Sequence, residues 1–295
     1  MEHLVLGTFT PSVLLDIARA TGRLADADLD VTEVPVASSA KQFKSLVERD
    51  LDAVLTSPDN VLAYRFDPGN RLGRLVDARI VSAIDRGLGL GLYVAPDCTA
   101  DVLRTGRVGV DVPDSGFALA LYALAEEFGV RREDMDVVAL GSTPKRLGAL
   151  LNAECRATML NAGNELKAEA AGCRCVARVS ERLSPYLGTV LAVEGESRLP
   201  RVRDLSRVLV ATIDDVLAGE LSTEAADSAS RVLGLTGDLP ARYVDRLRNP
   251  SEGLVGGGVL DARSLNTLIQ LRKRYLPSSV QDASDALASS SGLVA

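Results

Sequence analysis

The stretch Val108-Gly-Val-Asp-Val-Pro-Asp-Ser-Gly116 leaves few architectures open to this chain. Val108 to Val112 reads as a short buried strand, and Pro113, which has no N–H to give a ladder, must end it. Asp114 or Ser115 then caps a helix on which Phe117, Leu121, Leu124 and Phe128 recur at helical spacing, with Gly129 as its stop. A strand that turns this sharply into a helix points free N–H groups and a positive dipole end at the turn, a place to hold a polar or anionic group. Gly116 lets the backbone come close to whatever sits there. The chain opens in the same way. Leu4 to Leu6 is a strand, Pro11 and Ser12 form the turn, and Val13, Leu14, Ile17 and Ala18 follow at helical spacing up to Gly22.

Between and beyond these units, strands alternate with helices. Leu29 to Val36 alternates as a strand, Ser38 or Ser39 caps a helix through Phe43, Leu46 and Val47, and Ala53 to Leu55 is a short buried strand ending in the polar turn Thr56 to Asn60. Arg79 to Ile84, Leu88 to Val94 and Gly172 to Val179 are further strands. From Leu199 onward the pattern is helical, with Ala225 to Leu233, Leu239 to Leu247 and Leu260 to Leu271 as separate helices. Residues 278–295 read as a flexible tail. Such alternation predicts an α/β fold with mostly parallel sheet and ligands beyond the carboxyl ends of the strands. The second half repeats the first: Leu46 to Asn60 and Leu150 to Asn164 both run from a helix end through a tight turn and a short strand to an Asn, and Gly7 to Ser12 matches Asp111 to Gly116. Two such halves facing each other make a cleft ringed by four polar loops.

A net charge of −7 with no basic, aromatic-interleaved stripe argues against nucleic acid, and no apolar run spans a membrane. Cys98, Cys155, Cys173 and Cys175 fit no zinc spacing, and with His3 the sole histidine no metal or cofactor is expected. Buried reduced thiols are the expectation, with a bridge from Cys155 to Cys173 or Cys175 left open. The first strand follows Met1-Glu-His3 without a basic n-region, a long apolar run or a cleavage site. A cytoplasmic location is expected as the sequence stands, an extracytoplasmic one if a leader was removed.

With these elements in order, the chain resembles the type II solute-binding proteins of ABC transporters, in the branch that binds sulfonates, nitrate and thiamine precursors. The likeness is carried by Gly7 to Ser12, Leu51 to Asn60, Val108 to Gly116, and Glu252 to Asp261 with Leu265 to Arg272. The resemblance implies two α/β lobes, residues 1–90 plus 191–277 and residues 91–190, joined by crossings near Leu90 to Ala95 and Leu187 to Ala192. A cleft between them would close on the ligand by a hinge. It implies ligand contacts at Thr8, Phe9 and Thr10, at Thr56, Ser57 and Asn60, at Asp111, Asp114 and Ser115, and at Asn161 and Asn164. Tyr186, near a crossing, is added as a ring that would stack on a ligand. Asp111 and Asp114 at the second-lobe turn suit a ligand carrying an amine or several hydroxyls.

The function implied is a small-molecule binding protein, the receptor of an importer, with a small organic ligand and an ABC permease as partners and a monomer or weak dimer as its state. The alternative is a cytoplasmic enzyme on the same fold, a lyase, isomerase or dehydratase with Asp111 and Asp114 as acid and base. No nucleophile–base–orienter set is visible among the residues.

Overall fold

The structure, a computed structural model, describes residues 2–277 and 286–295. Its strands, numbered in chain order, form two five-stranded sheets. The first contains β1 (Glu2–Thr8), β2 (Leu29–Pro35), β3 (Ala53–Thr56), β4 (Ala78–Asp85) and β10 (Thr189–Glu194), in the order β2-β1-β3-β10-β4. The second contains β5 (Gly91–Val94), β6 (Arg107–Val110), β7 (Asp136–Ala139), β8 (Ala157–Leu160) and β9 (Arg174–Arg178), in the order β7-β6-β8-β5-β9. In each sheet the first three strands and the fifth run the same way, and the fourth, β10 or β5, is antiparallel to both its neighbours. The chain passes between sheets twice, from β4 to β5 and from β9 to β10, each time from the fifth position of one sheet to the fourth of the other. We call the first sheet and its helices lobe 1 and the second lobe 2.

The helices are α1 (Val13–Ala20), the short α2 (Arg23–Asp26), α3 (Ser39–Glu48), α4 (Pro58–Phe66), α5 (Val102–Thr105), α6 (Gly116–Glu126), α7 (Thr143–Leu151), α8 (Asn164–Ala170), α9 (Val179–Arg182), α10 (Leu199–Ala218), α11 (Ser222–Leu233), α12 (Leu239–Arg248) and α13 (Ala262–Tyr275). Local chemistry sets the entries of several. The hydroxyls of Ser12, Ser38, Ser57 and Ser115 each accept a first-turn N–H. One face of the first sheet packs against α1, α10, α11 and α12 through Leu4, Leu6, Ile17, Leu209 and Ile213. The other faces α3, α4 and α13, and this core runs on without a break into lobe 2 through Leu119, Leu121 and Tyr122 of α6. Helix α13 touches α4 of lobe 1 and α6 of lobe 2, and Tyr275 donates to Glu126 at 2.8 Å.

The repeat is present residue by residue. Ser38 and Ser142 precede α3 and α7, Gln42 and Arg146 lie in them, Arg49 and Ala153 follow with positive φ (69° and 59°), and Ala53 and Ala157 begin β3 and β8, each pair 104 residues apart.

Some boundaries differ from the sequence reading. Leu88 to Leu90 lies in the crossing, so the strand begins at Gly91. Thr189 and Val190, expected in lobe 2, pair with β4 and β3 in lobe 1. The edge strand β7 went unread, because Asp136-Val-Val-Ala139 is exposed at both ends and shows no clear alternation. Of the expected tail, residues 278–285 lie outside the described residues, while 286–295 dock on lobe 1 at a few points. Ala286 and Leu293 are buried, Ile80 N–H donates to the Leu293 carbonyl at 2.7 Å, and Arg65 reaches the Ser291 carbonyl at 2.6 Å. All four cysteines are free thiols, so the bridge left open at Cys155 does not form. No helix among the described residues is long and apolar enough to cross a membrane.

Candidate functional site

A cavity of about 150 Å³ lies between the lobes, room for a compact molecule near the size of benzene. Its walls are the carboxyl ends of β1, β3, β6 and β8 and the turns that follow them. The starts of α1, α3, α4, α6 and α7 all face it, through Ser12, Ser38, Ser57, Ser115 and Ser142. Each turns its first-turn N–H groups and a positive dipole end toward the same space.

Nine of the twelve residues expected at the site line this cavity: Thr8, Phe9, Thr10, Thr56, Ser57, Asn60, Asp111, Ser115 and Asn161. Many are held in place by one another. Asn60 Nδ2 donates to Thr56 Oγ1 at 3.0 Å, and Asn161 Nδ2 donates to the Gly87 carbonyl at 3.1 Å. The Ser115 hydroxyl donates to Asp111 while accepting the N–H of Ala118 at 3.1 Å.

Three expected residues lie elsewhere. Asp114 is half exposed and paired with Arg71 at 2.6 Å across the lobes, and the helix cap is Ser115 beside it. Asn164 is buried as the first residue of α8 and donates to the Asn161 carbonyl at 3.0 Å, so it holds the turn from behind. Tyr186 is buried in the second crossing, away from the cavity wall, with a hydroxyl that has no partner. Burial, with Asp59, Asp111 and Asp85 adding to it, drives that phenol's pKa upward. Asp111 and Asp114 therefore do not meet as an acid–base pair on the cavity.

Several groups that shape the site were not read from the sequence. Glu33 of β2 accepts from the Thr8 hydroxyl at 2.7 Å and the Ser12 N–H at 2.8 Å, fixing the first turn. Gln42, wholly buried, donates to the carbonyls of Gly7 and Leu55, both at 3.2 Å, and so ties the ends of β1 and β3 together. Its counterpart Arg146 performs the same task in lobe 2. It donates to the carbonyls of Gly141 at 2.5 Å and Met159 at 3.2 Å and to the Thr143 hydroxyl at 3.0 Å. Unlike Gln42, Arg146 also lines the cavity. It is 1% exposed, and burial lowers its pKa against the pull of Asp111. The repeat was legible over residues 46–60 and 150–164, and carried four residues further back it points to this pair. Asp85, at the end of β4, is the second carboxylate on the wall. Burial pushes it up to about 6, although the Thr189 hydroxyl and the Gly87 N–H both bond to it. Among the described residues, no group of three or more His, Cys, Asp or Glu side chains gathers as a metal site.

No protein-family model matches the sequence. No curated protein matches it either. Solved structures do. A ligand-binding component of an ABC-type import system from Staphylococcus aureus aligns over 99% of this chain and 98% of its own, with a TM-score of 0.74 at 12% identity. The alkanesulfonate-binding protein SsuA from Xanthomonas axonopodis pv. citri aligns over 95% of each chain, with a TM-score of 0.73 at 15% identity. The periplasmic nitrate-binding protein NrtA from Synechocystis PCC 6803 aligns over 94% of this chain and 83% of its own, with a TM-score of 0.71 at 12% identity. The chain has the type II periplasmic-binding-protein fold. In this type II fold the cavity lies in the cleft between the lobes, and both crossings run past it. Asp85, Gly188 and Thr189 contribute to its wall from the ends of those crossings.

Proposed function

We propose that this chain is a solute receptor, whose lobes close on a small organic molecule carrying one anionic group and at least one hydrogen-bond donor. The observation that carries this reading is the convergence of five helix starts and the buried Arg146 on a single cavity between two lobes. Dipole ends and a desolvated guanidinium favour a negative group. Asp85 is an acceptor on the same wall and takes a hydroxyl or an amine. Asp111 is engaged by Ser115 and lies in the field of Arg146, so it does not make the site cation-selective. The small volume favours a compact metabolite over a drug-sized ligand. The neighbours named as binding proteins of ABC import systems support the role of handing such a ligand to a permease outside the cytoplasm. The contacts we assign are Thr8, Phe9, Thr10, Thr56, Ser57, Asn60, Asp111, Ser115, Asn161 and Arg146.

Native mass spectrometry of the purified protein, before and after denaturation, tests this. We expect a released anion that rebinds unchanged. With that molecule, Asn60→Ala and Ser115→Ala should each weaken binding roughly ten-fold, the loss of one buried hydrogen bond. Consumption of the molecule on incubation, or unchanged affinity in both variants, would overturn the proposal.

A further inference from the structure

Beside the cavity, α8 of lobe 2 lies against α12 of lobe 1. Glu165, on the first turn of α8, is wholly buried, and neither of its carboxylate oxygens completes a hydrogen bond. It faces Arg246 of α12, whose Nε lies 3.9 Å from Glu165 Oε1 and also lacks a hydrogen bond. Arg246 donates instead, through Nη1, to Glu252 in the loop after α12. Glu252 is 3% exposed, and its other oxygen accepts from Ser180 of lobe 2 at 3.1 Å. The group wraps the first crossing. A Cβ on Gly89 would stand 3.0 Å from both Arg246 Nε and Glu165 Oε1, and Leu88 N–H donates to the Glu252 carbonyl at 2.7 Å.

Glu252 holds Arg246 by direct contact and also lies in the field of Arg178, and neither guanidinium completes a hydrogen bond to Glu165. Glu165 is then a second acid in a buried site, where a charge is costly. The neighbouring elements supply no further cation to it. On α8, Glu169 is bonded to Tyr93 of β5, Arg178 of β9 and Arg242 of α12, while Lys167 is drawn to the Leu233 carbonyl. On α7, Lys145 is exposed and Arg146 is held by the carbonyls of Gly141 and Met159 and the Thr143 hydroxyl. Tyr243 and Asp85 complete the surroundings.

We propose that Glu165, Arg246 and Glu252 form a proton-operated latch between the lobes: closed with Glu165 protonated, loosened when Glu165 gives its proton to solvent. The proton is the only species exchanged. Burial, opposed only in part by the backbone N–H groups of Glu165 and Gly163 and by Arg246, pushes the Glu165 carboxyl up to about 8 in the closed form. Opening separates α8 from α12, admits water and returns the group toward 4.5. Closure thus takes up a proton, and between those two values the closing constant falls up to ten-fold per pH unit as pH rises.

The latch rests on the reading that the lobes open and close, but its test needs no ligand. Small-angle scattering on the ligand-free chain from pH 5.5 to 9 should give a radius of gyration near the roughly 19 Å of a compact chain this long at the acid end, growing by about 1 Å toward pH 9. Glu165→Gln should stay compact throughout. Glu252→Gln, which frees Arg246 for Glu165, should also abolish the growth, and it carries the test alone if the first variant does not fold. A flat wild-type profile, or growth that persists in a folded variant, overturns the latch. A chain that opens with pH yet binds no solute overturns the receptor reading and leaves the latch standing.

Discussion

Gln42 and Arg146 do one job in two lobes, and the difference between them separates structure from recognition. Both tie strand ends together by donating to carbonyls, yet only Arg146 brings a charge to the cavity. Arg146→Gln should therefore keep the strand ends tied, as Gln42 does, and lose the anion. We expect affinity for the bound anion to fall roughly 10- to 100-fold, as for one charge-assisted hydrogen bond, with the melting temperature nearly unchanged; calorimetric titration and a thermal scan read the two effects. Asp85 gives a second prediction. Its folded pKa of about 6 lies above its ordinary 3.8, so the stability it contributes is complete below pH 3.8 and is lost as pH rises through 6. The Asp85→Asn variant keeps the acceptor for Gly87 and cannot ionise. Its melting temperature should gain on wild type by several degrees between pH 4 and pH 7, as scanning calorimetry would show.

Helices α4 and α6 meet nose to nose across the cleft. A Cβ placed on Gly116 would lie 2.6 Å from the Cβ of Asp59, itself pinned by Arg272 at 3.1 Å. Neither partner has a flexible end to move aside. Gly116→Ala should therefore hold the lobes apart, leaving each lobe folded, with a larger radius of gyration and at least about ten-fold weaker solute binding. The starts of α1, α3 and α6 were legible because a cap is a local device: Ser12, Ser38 and Ser115 stand beside the first turns they serve. Helix α7 was harder to place, since Pro144, Lys145 and Arg146 give its first turn no apolar stripe. Orientation was not legible at all. Asp114 and Ser115 are neighbours, and only the approach of Arg71 from the other lobe turns Asp114 away from the cavity. Tyr186 and Asn164 likewise go where tertiary packing, not spacing, sends them.

At the level of the molecule, the alternation of strands and helices announced an α/β fold, the repeat announced two like halves, and the resemblance supplied the two lobes and their crossings. What pattern alone did not reveal was which strand fills which slot, because β5 and the middle of β10, Val190 to Val193, are short, buried apolar stretches that suit either sheet. The slot that β10 takes has a consequence for synthesis. It lies between β3 and β4, which do not bond to each other, so the first sheet stays in two pieces until residue 194 has been made. The second sheet draws on nothing later than Arg178. As the chain leaves the ribosome, the lobe begun second has all its strands while the lobe begun first still waits for one, so the usual order of N-terminal part first is reversed here.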